Sequence, residues 1–178
     1  MADDAARRGM ASALARRRVA LGFIVAVAAL LLADPTWPSW RAGFAVAIAG
    51  EAIRVWAAGH LEKSREVTRS GPYRWTRHPL YVGSSIIALG IVIAAQSIVL
   101  AVLATIYMAA TITAAVRTEE AFLRGAFGDT YDQYRRSSAA PMRRRFSIER
   151  ALRNKEYRAV VGLITGFALL ALKAMLPI

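Results

Sequence analysis

From Pro79 to Val116 the chain runs for 38 residues without a single Asp, Glu, Lys or Arg. A bilayer core takes about 20 apolar residues per spanning helix, so this stretch is expected to cross twice. Its polar break, Gln96-Ser97, lies near the middle and predicts a tight helical hairpin, with spans at about 79–95 and 97–116. In hydrocarbon only helices and closed barrels satisfy every backbone polar group. The rest of the chain is therefore read as parts of a helical membrane bundle and its attachments.

Three more spans complete the expected bundle. Residues 19–33, between Arg18 and Asp34, give an apolar run of 15. It is short, but Arg18 can snorkel, and Trp37 and Trp40 can extend it at the interface. A signal peptide has the same order of basic then apolar residues. The cleavage signal is poor, however, because Leu31-Leu32-Ala33 is followed by Asp34-Pro35, so a retained helix is expected. Residues 42–58 contain Glu51 and Arg54, three apart on one helical face, read as a pair turned into the bundle interior. Residues 159–176 are interrupted only by Lys173.

Charge gives the orientation. The chain combines a net charge of +12 with 56% hydrophobic residues and a mean hydropathy of +0.36. That combination requires segregation along the sequence. An N-terminal arm (1–18) and the segments 59–78 and 117–158 together hold 21 of the 24 basic residues. Five spans put all three on one side, and the positive-inside rule makes that side the cytoplasm. The expectation is one membrane domain over residues 1–178, in a bacterial or archaeal plasma membrane, with the N-terminus inside and the C-terminus outside. The positive charge is read as topology and attraction to anionic lipid headgroups, Arg143-Arg144-Arg145 included, and not as nucleic-acid binding. With no cysteine, disulfides, thiolate metal sites and cysteine nucleophiles are excluded, and two histidines make no metal site. No Gly-rich dinucleotide or phosphate loop is present.

Two cytosolic segments are richer than topology needs. In the first, Gly71-Pro72-Tyr73 predicts a turn, and Arg77-His78-Pro79-Leu80-Tyr81-Val82-Gly83 sets a histidine before the proline that opens a span. The residue before proline avoids the helical region, and proline suits the first helical turn. His78 is thus placed at a helix N-terminus, where unpaired amides favour an anion. In the second, Glu119 and Glu120 lie near the end of the fourth span. Gly128 reads as a helix stop, Asp129 as an N-cap, and Tyr131 and Tyr134 as neighbours on one face. An interfacial aromatic cluster and an amphipathic surface helix would account for the same residues. Ser147 is expected to cap a helix running into the last span.

Together these segments resemble the isoprenylcysteine carboxyl methyltransferase family in its small prokaryotic form. The matching residues are Gly71-Pro72-Tyr73, Arg77-His78-Pro79-Leu80-Tyr81-x-Gly83, Glu119-Glu120-x-x-Leu123, and Phe127-Gly128-x-x-Tyr131-x-x-Tyr134, with Gly59-His60-Leu61-x-Lys63 upstream. The likeness covers about residues 50–145. It implies an all-α integral membrane bundle of about five helices with a cytosolic cofactor site formed by loops and short helices. The implied cofactor is S-adenosylmethionine, and the implied acceptor is lipophilic. Carried over, His78, Pro79, Tyr81, Glu119 and Glu120 would line the cofactor site, with Tyr73, Arg77, Tyr131, Tyr134 and Arg135 around them. Glu120 and Arg77 are the expected catalytic pair, and Glu120 the stronger cofactor contact of the two glutamates. A phospholipid or amine N-methyltransferase, an NADPH-dependent sterol-reductase-like enzyme and a non-enzymatic lipid-binding bundle remain open beside this reading.

Overall fold

The computed structural model describes residues 24, 27–140 and 142–176. The N-terminal arm and most of the first expected span lie outside the described residues, which are helical over 27–32. The remaining elements are α1 (Trp37–Ala58), a 3₁₀ turn (Gly71–Arg74), α2 (Pro79–Ala95), α3 (Ile98–Arg135), α4 (Ile148–Arg153) and α5 (Tyr157–Met175). Among the described residues every regular element is a helix. Two of them, α3 and α5, are long and apolar enough to cross a membrane, and α2 is a shorter apolar helix.

The second span begins earlier than the charge pattern predicts. Thr36 and Ser39 form a reciprocal capping box, and Pro38 sits in the first turn, so α1 starts at Trp37 instead of at residue 42. Trp37 and Trp40 therefore open the second helix and do not extend the first. Trp40 stacks on Phe44 and donates its indole N–H to the Phe167 carbonyl at 2.8 Å, which anchors α5 beside α1.

Helices α1 and α2 meet along small residues. A methyl on Gly50 would lie 2.7 Å from the Gly83 carbonyl oxygen, and one on Gly83 would lie 2.6 Å from that of Gly50. Gly43, Ala47 and Gly50 face Gly83, Gly90 and Ala94, so the backbones approach as closely as residues without side-chain bulk allow. The core continues through Ala33, Leu100, Leu163, Phe167 and Leu170. Lys173, in the last turn of α5, donates to the Leu30 and Leu31 carbonyls at 2.8 and 3.1 Å.

The hairpin falls where the sequence puts it. Gln96 takes the left-handed conformation (φ 50°), and Ser97 caps α3 by accepting from the Leu100 amide. The helix continues past the uncharged stretch, as the Gly128 stop predicts: residues 98–127 run about 45 Å at the helical rise before the kink. A bilayer core is about 30 Å thick, so α3 is longer than one crossing needs, and its last turns, with Glu119 and Glu120, project beyond the uncharged stretch that ends at Val116. The chain bends at Gly128 (φ 46°, ψ −122°), the expected stop. The last span is also not entered directly from the Ser147 cap. The cap exists, through the Arg150 amide, but α4 ends at Arg153 and Lys155 turns left-handed (φ 61°) before α5 begins.

Candidate functional site

At the end of the bundle that carries these projecting turns lies a cavity of about 540 Å³. Its walls are the loop after α1, the Gly-Pro turn, the start of α2, one face of α3 and the break between α4 and α5. The loop is held from behind by ion pairs. Arg144 clamps Glu66 at 2.7 and 2.8 Å, and Arg153 reaches Glu62 at 3.0 Å. Arg144 thus helps to hold the loop in place. Asn154 donates to the Ala58 and Leu61 carbonyls, both at 2.9 Å, which fixes the break against the end of α1.

The Gly-Pro turn is built on the histidine upstream of it. Gly71 has φ +57°, and a Cβ there would strike the His60 ring at 2.5 Å, so only glycine fits. His60 is buried and shares a 3.1 Å hydrogen bond with Ser70. Burial, with the Arg150 and Arg144 charges, pushes its pKa below the ordinary value of 6.5. The turn places Tyr73, 5% exposed, in the cavity wall, and burial drives its hydroxyl pKa upward. Beyond the bend at Gly128, the Tyr134 hydroxyl donates to the Tyr73 carbonyl at 2.7 Å. That bond ties the end of α3 back onto the turn. Burial pushes the Tyr134 hydroxyl up to about 12.

The two glutamates take different surroundings. Thr111, Ala115 and Glu119 repeat at four-residue steps along one face of α3, and all three line the cavity. Glu120 points to the neighbouring face, where its Oε1 accepts from Arg77 at 3.1 Å and lies 3.2 Å from His78 Nε2. Burial alone would raise the Glu120 pKa, but the His78 hydrogen bond and the Arg77 charge outweigh it and hold the carboxyl below its ordinary value. Glu119 reaches His78 Nδ1 only at 3.9 Å, too long for a hydrogen bond. Burial and the Glu120 charge raise the pKa of Tyr131, which is 1% exposed and stacks edge-on to Tyr134.

The structure thus gathers most of the expected residues. Tyr73, Arg77, Tyr81, Glu119 and Tyr134 line the cavity. His78, Glu120 and Tyr131 form a cluster beside it, and buried Pro79 starts the helix between them. Arg135 is exposed and stands outside the lining. Two polar atoms of the cluster, His78 Nδ1 and Tyr131 Oη, are buried without a hydrogen-bond partner. Buried polar groups are almost always paired, so these atoms and the Glu119 carboxylate fit a polar ligand with both donors and acceptors.

Sequence reasoning missed Glu156. It is 7% exposed, lines the cavity, and its Oε1 sits 2.7 Å from Arg54 Nε. Arg54 also bonds Ser84 Oγ and stands 3.6 Å from Glu51. The expected pair is therefore a triad, in which Arg54 lies closer to the unexpected partner. The signal for Glu156 is only its position at a helix start, where an acid is favoured.

The phospholipid methyltransferase family matches residues 24–130. The protein-S-isoprenylcysteine O-methyltransferase of Schizosaccharomyces pombe is 34% identical over 88 residues, 49% of this chain and 37% of that protein. This chain thus spans little more than a third of that relative. The cobalt-zinc-cadmium resistance protein CzcN of Cupriavidus metallidurans is 30% identical over 147 residues, 74% of this chain and 67% of that protein. The nickel-cobalt-cadmium resistance protein NccN of Alcaligenes xylosoxydans xylosoxydans is 32% identical over 142 residues, 72% of this chain and 66% of that protein. No solved structure matches. With the Arg77-His78-Pro79 motif and the paired glutamates meeting at one site, inside the matched range, the chain belongs to the phospholipid methyltransferase family, which includes its isoprenylcysteine methyltransferase-like relatives.

Proposed function

We propose that the protein transfers a methyl group from S-adenosylmethionine to a lipophilic acceptor at the cytoplasmic face of a five-span membrane bundle. The observation that carries this reading is the cavity beside the Arg77–His78–Glu120 cluster, with its unpaired His78 Nδ1 and Tyr131 hydroxyl. When bound, the cofactor supplies a methyl group on a sulfonium, activated for in-line displacement. The chain's task is then to bind, orient and keep water out. The Tyr131 hydroxyl is a donor suited to a carboxylate, and His78 Nδ1, with Nε2 turned to Glu120, offers an acceptor to an N–H or O–H of the ligand. Glu119 offers an acceptor to amino or ribose hydroxyl groups. Arg77 and His78 hold Glu120 ionised, and Glu120 in return fixes the imidazole that faces the ligand. Leu80, Ala114, Ala115 and Phe122 give the cavity an apolar wall, which suits a lipophilic acceptor. A carboxylate acceptor needs no base. An amine acceptor loses a proton, and Glu119 stands on the wall to take it.

The test is transfer of a labelled methyl group by protein in lipid nanodiscs. S-farnesylcysteine, phosphatidylethanolamine and a total lipid extract would be offered as acceptors. The proposal expects label in the organic phase with at least one of them, and its loss in Glu119→Gln. Label no higher than a boiled-protein blank with all three acceptors would overturn it.

A further inference from the structure

We infer that the Glu51–Arg54–Glu156 triad is a binding site for a protonated nitrogen of the ligand that occupies the cavity. This rests on the proposed methyl-transfer reading and assigns a second recognition point within the same cavity. Glu156 lies outside residues 24–130, which the family matches, so its role does not come with the motif.

The first argument is charge. Glu51 is 6% exposed and Glu156 7% exposed. Among the described residues both are within ion-pair distance of one guanidinium alone, Arg54, at 3.6 and 2.7 Å. Two buried carboxylates share one cation, so at most one of them is matched by a charge, and a buried charge is costly unless it is paired. The cations of the cavity wall do not supply the pairing. Arg77 is engaged by Glu120 at 3.1 Å, and Lys63 is exposed.

The second argument is hydrogen bonding. Glu156 Oε1 and Arg54 Nε are close, yet neither has a hydrogen bond, and both Glu51 carboxylate oxygens also lack one. The contact is therefore Coulombic and leaves carboxylate lone pairs open. Glu156 belongs to the cavity lining. A group that brings both a positive charge and N–H donors satisfies both deficits, and an ammonium is such a group.

The third argument is backbone. The chain leaves the helical path at Asn154–Lys155 to start α5 at this level, with Lys155 at φ 61° and Asn154 bonded to the end of α1. Local strain of this kind persists only where the surroundings enforce it. Here it carries the Glu156 carboxylate into the cavity wall.

An ammonium can come from the amino-acid part of the cofactor or from an amine acceptor, and the experiment separates them. Parent and Glu156→Gln protein in nanodiscs would be titrated with S-adenosylhomocysteine and with methylthioadenosine, which lacks the amino-acid part. KM would be measured for phosphatidylethanolamine and for N-acetyl-S-farnesylcysteine, whose nitrogen is an uncharged amide. If the nitrogen is the cofactor's, the substitution weakens S-adenosylhomocysteine about tenfold, the scale of one lost charge-assisted bond, and leaves methylthioadenosine unchanged. If it is the acceptor's, the KM for phosphatidylethanolamine rises about as much and that for N-acetyl-S-farnesylcysteine does not. Glu51→Gln removes the same unit of charge without touching the wall, so it should act in the same direction, more weakly. It carries the test if Glu156→Gln does not fold. Unchanged constants for all four compounds in a folded variant would overturn the inference while leaving the methyl-transfer reading intact. A parent that binds no S-adenosylhomocysteine would overturn both.

Discussion

Replacing Arg54 by alanine should be the most damaging single substitution in the bundle. Arg54 is the only cation within ion-pair distance of Glu51 and Glu156 among the described residues, so its loss strands two buried carboxylates. Breaking a buried pair by removing one partner costs about 3–5 kcal/mol, and Arg54→Ala should lose at least that much. Glu51→Ala should be mild, because the closer contact of Arg54, to Glu156 at 2.7 Å, survives it. A simple two-residue pair would make the Glu51→Ala, Arg54→Ala double variant milder than either single change. With three members it is not, since Glu156 stays unpaired in the double variant. Adding Glu156→Gln to Arg54→Ala should recover much of the loss. The assay is reversible unfolding in detergent at pH 8, followed across the whole set. If Arg54→Ala falls within about 1 kcal/mol of the parent at pH 8, the triad is not energetically buried and the reasoning fails.

Other expectations follow from the same geometry. Gly50→Ala puts a methyl 2.7 Å from the Gly83 carbonyl oxygen and should cost about 1–3 kcal/mol in unfolding experiments, whereas Gly162→Ala, with open space around it, should cost little. The His60 pKa is lowered in the folded state, so the unfolded chain binds the proton first, and stability should fall as pH drops below about 6.5; His60→Asn should flatten that limb of a stability-against-pH curve. Glu120 is shifted the other way. Its contribution should persist at neutral pH and be lost only as pH falls below its ordinary value of 4.5, and Glu120→Gln should remove that acid limb. Reporter fusions after the last span and near Trp37 should both report the outer face; a cytoplasmic signal after the last span would mean that one span is miscounted.

The legible parts of this protein are those where one kind of residue dominates a window. The hairpin could be placed to the residue because Gln96-Ser97 is the polar break in 38 uncharged positions. The Arg77-His78-Pro79 and Glu119-Glu120 segments could be paired because their order resembles a family, and the structure brings His78 and Glu120 to 3.2 Å across 42 residues of sequence. Which glutamate faces the cavity was not legible, because the two faces of α3 differ little in polarity. The answer depends on where the loop after α1 packs. The Gly43, Ala47 and Gly50 spacing was present, but Glu51 and Arg54 drew attention to charge instead of to closeness of approach. The far end of α3 was legible as well, because hydropathy marks only the end of the uncharged stretch while Gly128 marks where the helix kinks. Glu156 carried no signal of its own in a basic linker. Only the fold-back at Asn154 and Lys155 gives it a role.

The central claim is a cavity built for S-adenosylmethionine. It is tested most directly by calorimetric titration of the purified parent with S-adenosylmethionine, S-adenosylhomocysteine and NADPH, beside His78→Ala. The account predicts saturable binding of the first two at one site per chain, none of NADPH, and an affinity weakened in His78→Ala by about 1–3 kcal/mol with the ligand-free thermal midpoint unchanged. Binding of NADPH alone, or of no compound by a folded parent, would contradict it.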